Sequence, residues 1–187
     1  MRFWLFLATM AACLAAQDMK IDTQRSTITI HVGKAGLLSV AGHEHWVSAP
    51  IASGTINESG SPRVEFTVET AKMRVKPDPK VDSQTEATIQ KDMETMTLET
   101  SKYAEISFRS SRVEKTADGW KVDGMLSLHG VSKPISVAVK KNGEAYTGHT
   151  VLKQTDFGIK PISVGGGTIK VKNEIDIDFQ IFRNGSA

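Results

Sequence analysis

The sequence predicts an all-β protein with one short helix, in which antiparallel strands follow one another along the chain. Residues 120–140 give the clearest signal, because apolar and polar side chains alternate on both sides of a turn at Gly130. Alternation with a period of two is typical of a strand with one buried face. Neighbouring strands that share this pattern must bury that face against a second sheet or around a closed interior.

The same alternation predicts the other strands. Their apolar positions are Ile28, Ile30 and Val32; Val64, Phe66 and Val68; Ile106 and Phe108; and Ile175, Ile177, Phe179 and Ile181. Turn signals at 57–60, 118–119 and 142–143 separate strands and indicate a meander. The pair Asn142-Gly143 favours a two-residue type I′ hairpin, because both residue types tolerate a positive φ.

One segment, residues 81–98, interrupts the alternation. Ile89, Met93 and Met96 occur there at helical spacing, and Ser83–Glu86 fits a capping box with the serine as the cap. The sequence therefore predicts an amphipathic helix of about four turns. If the strands close into a barrel, we expect this helix to lie over one mouth or edge of it.

The beginning of the chain is predicted to be an export signal. Arg2 gives a small positive start, residues 3–14 are apolar, and two alanines precede the expected cleavage site. The apolar run is shorter than the roughly 18 to 20 residues that a membrane-spanning helix needs. We therefore expect residues 1–16 to be a signal peptide and residues 17–187 to form one barrel domain.

The single cysteine, Cys13, lies inside this predicted signal. Its removal would leave a mature protein without a disulfide or a cysteine metal ligand. Residues 10–13 loosely resemble the lipobox of bacterial lipoproteins, so lipid anchoring at Cys13 is the alternative to soluble secretion. Without that anchor, we expect contact with a membrane to be transient.

Charge and motifs argue against several functional classes. The 23 Lys and Arg residues are interspersed with 21 Asp and Glu, without the basic tract that binds a nucleic-acid backbone. Residues 165–168 lack the lysine and helix of a phosphate-binding loop. No nucleophile elbow is evident. The sequence therefore predicts no nucleic-acid partner, no cofactor, no catalytic residue and no enzyme, and it leaves a homodimer open.

His43 and His45 form the one candidate pair of metal ligands. Residues at i and i+2 of an extended segment share a face, and a third ligand could come from His31, His129 or His149. Two histidines are a weak signature and also suit a polar rim, so no metal site is predicted. A metal-binding protein or metal-dependent enzyme centred on this pair remains an alternative.

Residues 124–135, GMLSLHGVSKPI, resemble the strand, the His/Arg-Gly-Val-Thr-Lys-Pro turn and the returning strand of the YceI-like proteins. Residues 22–32, 102–108 and 155–159 resemble the family's opening strand, its Tyr-Pro-x-Ile-x-Phe strand and its Asp-Phe-Gly-Val segment, in the expected order. The chain has Ala104 where the family usually has proline. The resemblance covers essentially the whole mature chain.

YceI-like proteins are exported bacterial proteins that bind polyisoprenoids in a lipocalin-like barrel. The resemblance implies an antiparallel eight-stranded lipocalin-like β-barrel, a periplasmic location, and an isoprenoid or other long-chain lipid in the interior. The residues expected to bind the ligand are Ile28, Ile30, Val32, Phe66, Val68, Phe108, Leu126, Leu128, Val137, Phe179 and Ile181. The alternative is a barrel filled by side chains, acting as a stress-associated interaction module, because periodicity is the same in both cases.

Overall fold

The computed structural model describes residues 18–35, 44–164 and 169–185. The strands are β1 (Met19–Lys20), β2 (Thr27–Ala35), β3 (His45–Ser48), β4 (Ile51–Asn57), β5 (Arg63–Glu69), β6 (Arg74–Val75), β7 (Glu105–Thr116), β8 (Gly119–Leu128), β9 (Val131–Asn142), β10 (Ala145–Lys153), β11 (Ser163–Val164) and β12 (Ile169–Phe182). Helix α1 (Ser83–Asp92) continues into a π-helical turn, Met93–Thr97, and two 3₁₀ turns cover Thr70–Lys72 and Gln154–Phe157.

The strands form one antiparallel sheet in the order β1-β4-β5-β7-β8-β9-β10-β12-β2-β3-β6, with β11 paired to β12. Although β3 and β4 lie near opposite ends of this order, only Ala49 and Pro50 separate them in the chain. They act as one bent strand that pairs with β2 through its first half and with β5 through its second. With β3 and β4 counted together, the wall has eight strands, so the predicted antiparallel barrel is confirmed.

The two ends of the barrel differ in what covers them. We call one the hairpin end, because the β4–β5, β7–β8 and β9–β10 turns lie there. The N-terminal segment crosses this end: the Ile21 N–H donates to the Gly54 carbonyl over 2.9 Å, and Ile21 forms a bridge with Arg183. We call the other the helix end, where the β8–β9 turn and α1 lie.

The predicted hairpins form, but the turn type at Asn142-Gly143 was wrong. Asn142 pairs with Ala145, so the central residues are Gly143 and Glu144, and only Gly143 has a positive φ, of 61°. A positive φ at the first central residue alone is typical of type II′. The turn with two positive φ values is instead 129–130, with 52° at the histidine and 76° at the glycine.

The predicted helix is present, but its cap was assigned to the wrong residue. The Asp82 carboxylate accepts hydrogen bonds from the N–H groups of Gln84 and Thr85, at 3.0 and 2.9 Å. Glu86 accepts from the N–H of Asp78 at 2.8 Å instead of completing a capping box. Aspartate and serine are comparable caps, so the chain path into the helix decides between adjacent candidates.

The apolar stripe of the helix is also shorter than predicted. Leu98 donates its N–H to the Met93 carbonyl over 2.9 Å, which makes the last turn π-helical. A π turn holds an extra residue and rotates the side chains that follow it. Met93, which begins this turn, is buried at 8% exposure, whereas Met96, later in the turn, is 65% exposed.

The helix lies over one edge of the barrel, as predicted. Gln90 accepts a hydrogen bond from the Val75 N–H at 2.8 Å and donates one to the Met73 carbonyl at 3.0 Å. Across the described segments, no helix has the length and apolar character to cross a bilayer. The predicted signal peptide and Cys13 lie outside the described residues.

Candidate functional site

The interior of the barrel contains a cavity of about 250 Å³. All eight wall strands contribute side chains to it, as do the π turn after α1 and the segment that follows β10. An apolar cavity of about 150 Å³ holds benzene, so this volume suits on the order of ten carbon atoms. The barrel is therefore hollow enough for part of a slender chain, which argues against the alternative of a filled barrel.

Every residue that the sequence predicted as ligand-binding lines this cavity. They are Ile28, Ile30, Val32, Phe66, Val68, Phe108, Leu126, Leu128, Val137, Phe179 and Ile181. Several, including Ile30, Val32 and Phe66, are only partly buried although they point inward. They pack against the buried core and leave part of their surface accessible from the cavity. Contact with a lipid remains a prediction for all of them.

Inward-facing glycines make room for the phenylalanine rings. A Cβ on Gly124 would lie 2.5 Å from the Phe108 ring and 2.6 Å from the Arg109 carbonyl oxygen. Gly148 is covered by the ring of Phe179 in the same way, and its Cβ would also meet the Ala138 carbonyl oxygen at 2.7 Å. The two rings therefore occupy space that a side chain at either position would need.

Part of the lining was not predicted to bind the ligand. Alternation predicts an inward face for further lining residues that were not among those expected to bind it, namely Val64, Ile106, Trp120, Val122, Ile135, Val139, Ile175 and Ile177. The inward face of β10 was not recognised, because Tyr146, Gly148 and Thr150 do not form an apolar pattern. The remaining apolar lining residues are Val47, Ala49, Ile56, Pro62, Met73, Met93, Leu98, Val113, Leu152, Phe157 and Ile159.

The hairpin end of the cavity has a charged rim. Glu58 and Arg63 line the cavity there. Lys141 of β9 reaches Glu58, with 2.8 Å between Nζ and Oε1, and Arg63 donates to Asp18 over 2.6 Å. The hydrogen bond from Arg63, followed by one from Asn57, holds the pKa of Asp18 below its ordinary value. Opposite charges are therefore already matched around this mouth.

Three of the four stretches on which the resemblance rests meet at the helix end. The ring of Tyr103 lies 4.1 Å from the His129 ring, measured between centroids, and His129 Nε2 lies 2.9 Å from a Glu99 carboxylate oxygen. A Cβ on Gly130 would come within 2.7 Å of the Tyr103 ring, so only glycine fits this turn. Gly158 approaches His129 as well. Three segments distant in sequence therefore meet in one packed cluster.

The candidate metal ligands do not converge in the part of the chain that the structure describes. His31 lies 3.2 Å from Glu44 and stacks on Trp46, and His149 lies 3.0 Å from Asp178. Within 18–35, 44–164 and 169–185, no group of three or more His, Cys, Asp or Glu is placed to hold a metal ion. His43 lies outside those ranges, so the pair with His45 is untested.

An antiparallel barrel closed around an apolar cavity defines a lipocalin-like fold. The YceI-like domain matches residues 19–182, and the chain therefore belongs to the YceI-like family. A UPF0312 protein of Shewanella baltica (strain OS185) is 30% identical over 167 residues, with 82% of each chain covered. A UPF0312 protein of Pseudomonas savastanoi pv. phaseolicola is 38% identical over 97 residues, 44% of this chain. That match spans about half of the relative's length, 47%.

Solved structures share the fold at low sequence identity. A polyisoprenoid binding domain from Saccharophagus degradans, implicated in plant cell wall breakdown, superposes with a TM-score of 0.61 at 14% identity, covering 89% of this chain and 98% of that one. Burkholderia cenocepacia BcnA superposes with a TM-score of 0.55 at 16% identity, covering 86% and 98%. At such identities the likeness concerns the fold alone.

Proposed function

We propose that this protein is an exported, non-enzymatic binding protein that holds a polyisoprenoid or a similar long apolar lipid in its barrel. The observation that carries the proposal is the cavity, which aliphatic and aromatic side chains line almost throughout. Membership of the YceI-like family and the likeness to a polyisoprenoid binding domain support it. The periplasm is the compartment proposed for the mature protein.

In this proposal, burial of the lipid's hydrocarbon chain supplies the binding affinity. Each CH₂ removed from water contributes about 0.8 kcal/mol, without directional contacts. Selection among tails is consequently weak, and the polar groups at the two ends discriminate between head groups. A ligand of more than about ten carbons must displace lining side chains or extend through a mouth.

The direct test is mass spectrometry of an organic extract from protein purified under native conditions. We expect a long-chain lipid in stoichiometric amount. Ile30→Trp should abolish recovery, because it places an indole in the cavity where Ile30 is only partly buried. Met125→Trp is the matched control, since Met125 lies on the outer face of β8. The proposal fails if the wild type yields no lipid, or if both variants yield as much as the wild type.

Export is tested separately by the mass and N-terminus of the mature protein. Cleavage after Ala16 should leave Gln17 as the first residue, with the protein free in the periplasmic fraction. A diacylated N-terminus at Cys13 would instead establish the lipoprotein alternative. Cys13→Ser distinguishes the two outcomes, because it leaves cleavage after Ala16 unchanged and abolishes lipid anchoring.

A further inference from the structure

Strand β10 places a phenol in the mostly apolar wall of the cavity. Tyr146 is the second residue of this strand, lines the cavity and is 7% exposed. Its hydroxyl is the one buried side-chain polar atom in the described residues that lacks a hydrogen-bond partner. Buried polar groups are nearly always paired, because burial removes their hydrogen bonds with water. The Tyr146 hydroxyl is therefore a buried donor to which the described part of the protein supplies no acceptor.

Tyr146 lies just inside the hairpin-end mouth. Its ring centroid is 5.9 Å from that of Trp120, which also lines the cavity. Lys141 is directly opposite Tyr146 in the β9–β10 pair, and its ammonium nitrogen lies 5.1 Å from the ring centroid. Glu58 binds the same ammonium group. The phenol is thus covered by an ion pair that spans the mouth.

The charges at this mouth favour a neutral ligand group. The Lys141 ammonium is matched by Glu58, and the Arg63 guanidinium is matched by Asp18. An anionic head group would have to compete with a carboxylate for either cation. A neutral carbonyl oxygen can instead accept a hydrogen bond from the phenol and leave both ion pairs formed.

We propose that Tyr146 is the residue that selects the ligand, by donating a hydrogen bond to a neutral carbonyl oxygen on a long apolar chain. The inference rests on the proposed function and adds the chemistry and orientation of the ligand. The carbonyl lies at the hairpin end, and the chain extends toward the helix end. Because the hydroxyl is enclosed, the oxygen reaches it when the Lys141–Glu58 ion pair, whose two side chains are each 31% exposed, shifts toward solvent without separating.

The test compares 2-decanone with decane, which lacks the carbonyl oxygen, by displacement of N-phenyl-1-naphthylamine from delipidated protein. Tyr146→Phe should weaken 2-decanone binding roughly three- to tenfold, the range for one net hydrogen bond, and leave decane unchanged. Tyr103→Phe removes the other tyrosine hydroxyl of the chain, outside the cavity, and should change neither. Decanoate should bind the wild type more weakly than 2-decanone does.

The outcomes separate this inference from the function on which it rests. If decane and 2-decanone bind the wild type and Tyr146→Phe affects both equally, the inference is overturned and the binding function stands. Tighter binding of decanoate than of 2-decanone also overturns it. If no probe displaces the dye from the wild type, the proposed function fails instead. In ligand-free protein, Tyr146→Phe should keep or raise the Tm, and a lower Tm would show that the hydroxyl is already paired.

Discussion

Two glycines affect the shape of the cavity because they leave space that a larger side chain would fill. Gly124 and Gly148 face inward on β8 and β10, and a phenylalanine ring covers each of them. A strand glycine that receives a neighbouring aromatic ring keeps the wall thin at that point. The inward glycines therefore help to determine the shape of the interior, although a search for apolar residues does not identify them.

Gly124→Ala tests this arrangement. The added methyl group would meet the Phe108 ring at 2.5 Å and the Arg109 carbonyl oxygen at 2.6 Å, and the backbone oxygen cannot move aside. We expect the free energy of unfolding to fall by about 1–3 kcal/mol, as for other overpacked cores. Gly185→Ala is the control, because nothing lies within 4 Å of its Cβ. Urea denaturation measures both, and equal stabilities would contradict the packing described.

Two histidines provide a second test at single residues. Each pairs with a carboxylate at nearly the same distance, but one is mostly buried and the other is exposed. His129 lies 2.9 Å from Glu99 with its side chain 10% exposed, and His149 lies 3.0 Å from Asp178 with its side chain 53% exposed. His129→Ala also loses the contact with the Tyr103 ring, so it should cost about 1–3 kcal/mol of stability. His149→Ala should change stability by less than about 0.5 kcal/mol. Thermal unfolding at pH 7 compares them, and the reverse ranking would rule out the structural role assigned to His129.

Among the secondary-structure elements, local sequence signals located most of the long strands and their turns, but they did not locate β3, β4 or β10, and they predicted details of the helix less well. The hairpins form where turn residues were identified, since a turn is decided within four residues. The helix cap is Asp82 and not the predicted Ser83, and the π turn directs Met96 away from the barrel. Both differences arise where the helix meets the rest of the chain.

The helix cap can be tested by substitution and by pH. Asp82→Ala should increase fraying of the first turn of α1, whereas Ser83→Ala should not, because Asp82 holds the N–H groups of Gln84 and Thr85. The side-chain hydrogen bond from Thr85 is the main cause that lowers the pKa of Asp82. A lowered pKa means that the cap stabilises the fold fully above about pH 4 and loses this effect as pH falls through the lowered value.

Amide NMR shifts of Gln84 and Thr85, followed from pH 7 to pH 2, report this titration. Asp82→Asn retains a capping oxygen without an ionisable group, so its amide shifts should be independent of pH over this range. If Ser83→Ala frays the helix as much as Asp82→Ala does, the capping box predicted from sequence is correct after all.

At the scale of the whole molecule, the bent β3–β4 strand decides the architecture. Ala49 donates its N–H to the Ile28 carbonyl over 2.9 Å, and Pro50, which has no N–H, follows where the strand changes partner. The ends of the sheet are thereby joined by the chain itself. A barrel closed in this way has no long free edge along its wall, and its interior can stay open without support from a second sheet.

The size of the cavity predicts how affinity depends on chain length. For primary alcohols from C6 upward, each added CH₂ should tighten binding about fourfold, as expected from about 0.8 kcal/mol per CH₂. The increment should decrease beyond about ten carbons, where the chain fills the present volume of about 250 Å³. Dye displacement across a C6–C14 series measures this dependence. Ile30→Trp should shift the limit to shorter chains, and affinities independent of length would contradict binding in the barrel.

Alternation in the sequence indicated which face points inward on most of the long strands, because alternation is a local property of the backbone. It thereby identified residues that line the cavity, such as Ile28, Phe108 and Leu126, and the turn at His129-Gly130 indicated the family. It did not reveal the inward face of β10, where Tyr146 and Thr150 replace an apolar pattern.

Whether the interior is hollow could be learned only from the folded structure. Filled and hollow barrels require the same inward alternation, and they differ in the distance between side chains on strands far apart in sequence. The same holds for the unpaired hydroxyl of Tyr146 and for the ion pair between Lys141 and Glu58. Each depends on which groups the closed sheet brings together across the barrel. No local pattern in the sequence encodes the distance between side chains on strands that are far apart in the chain.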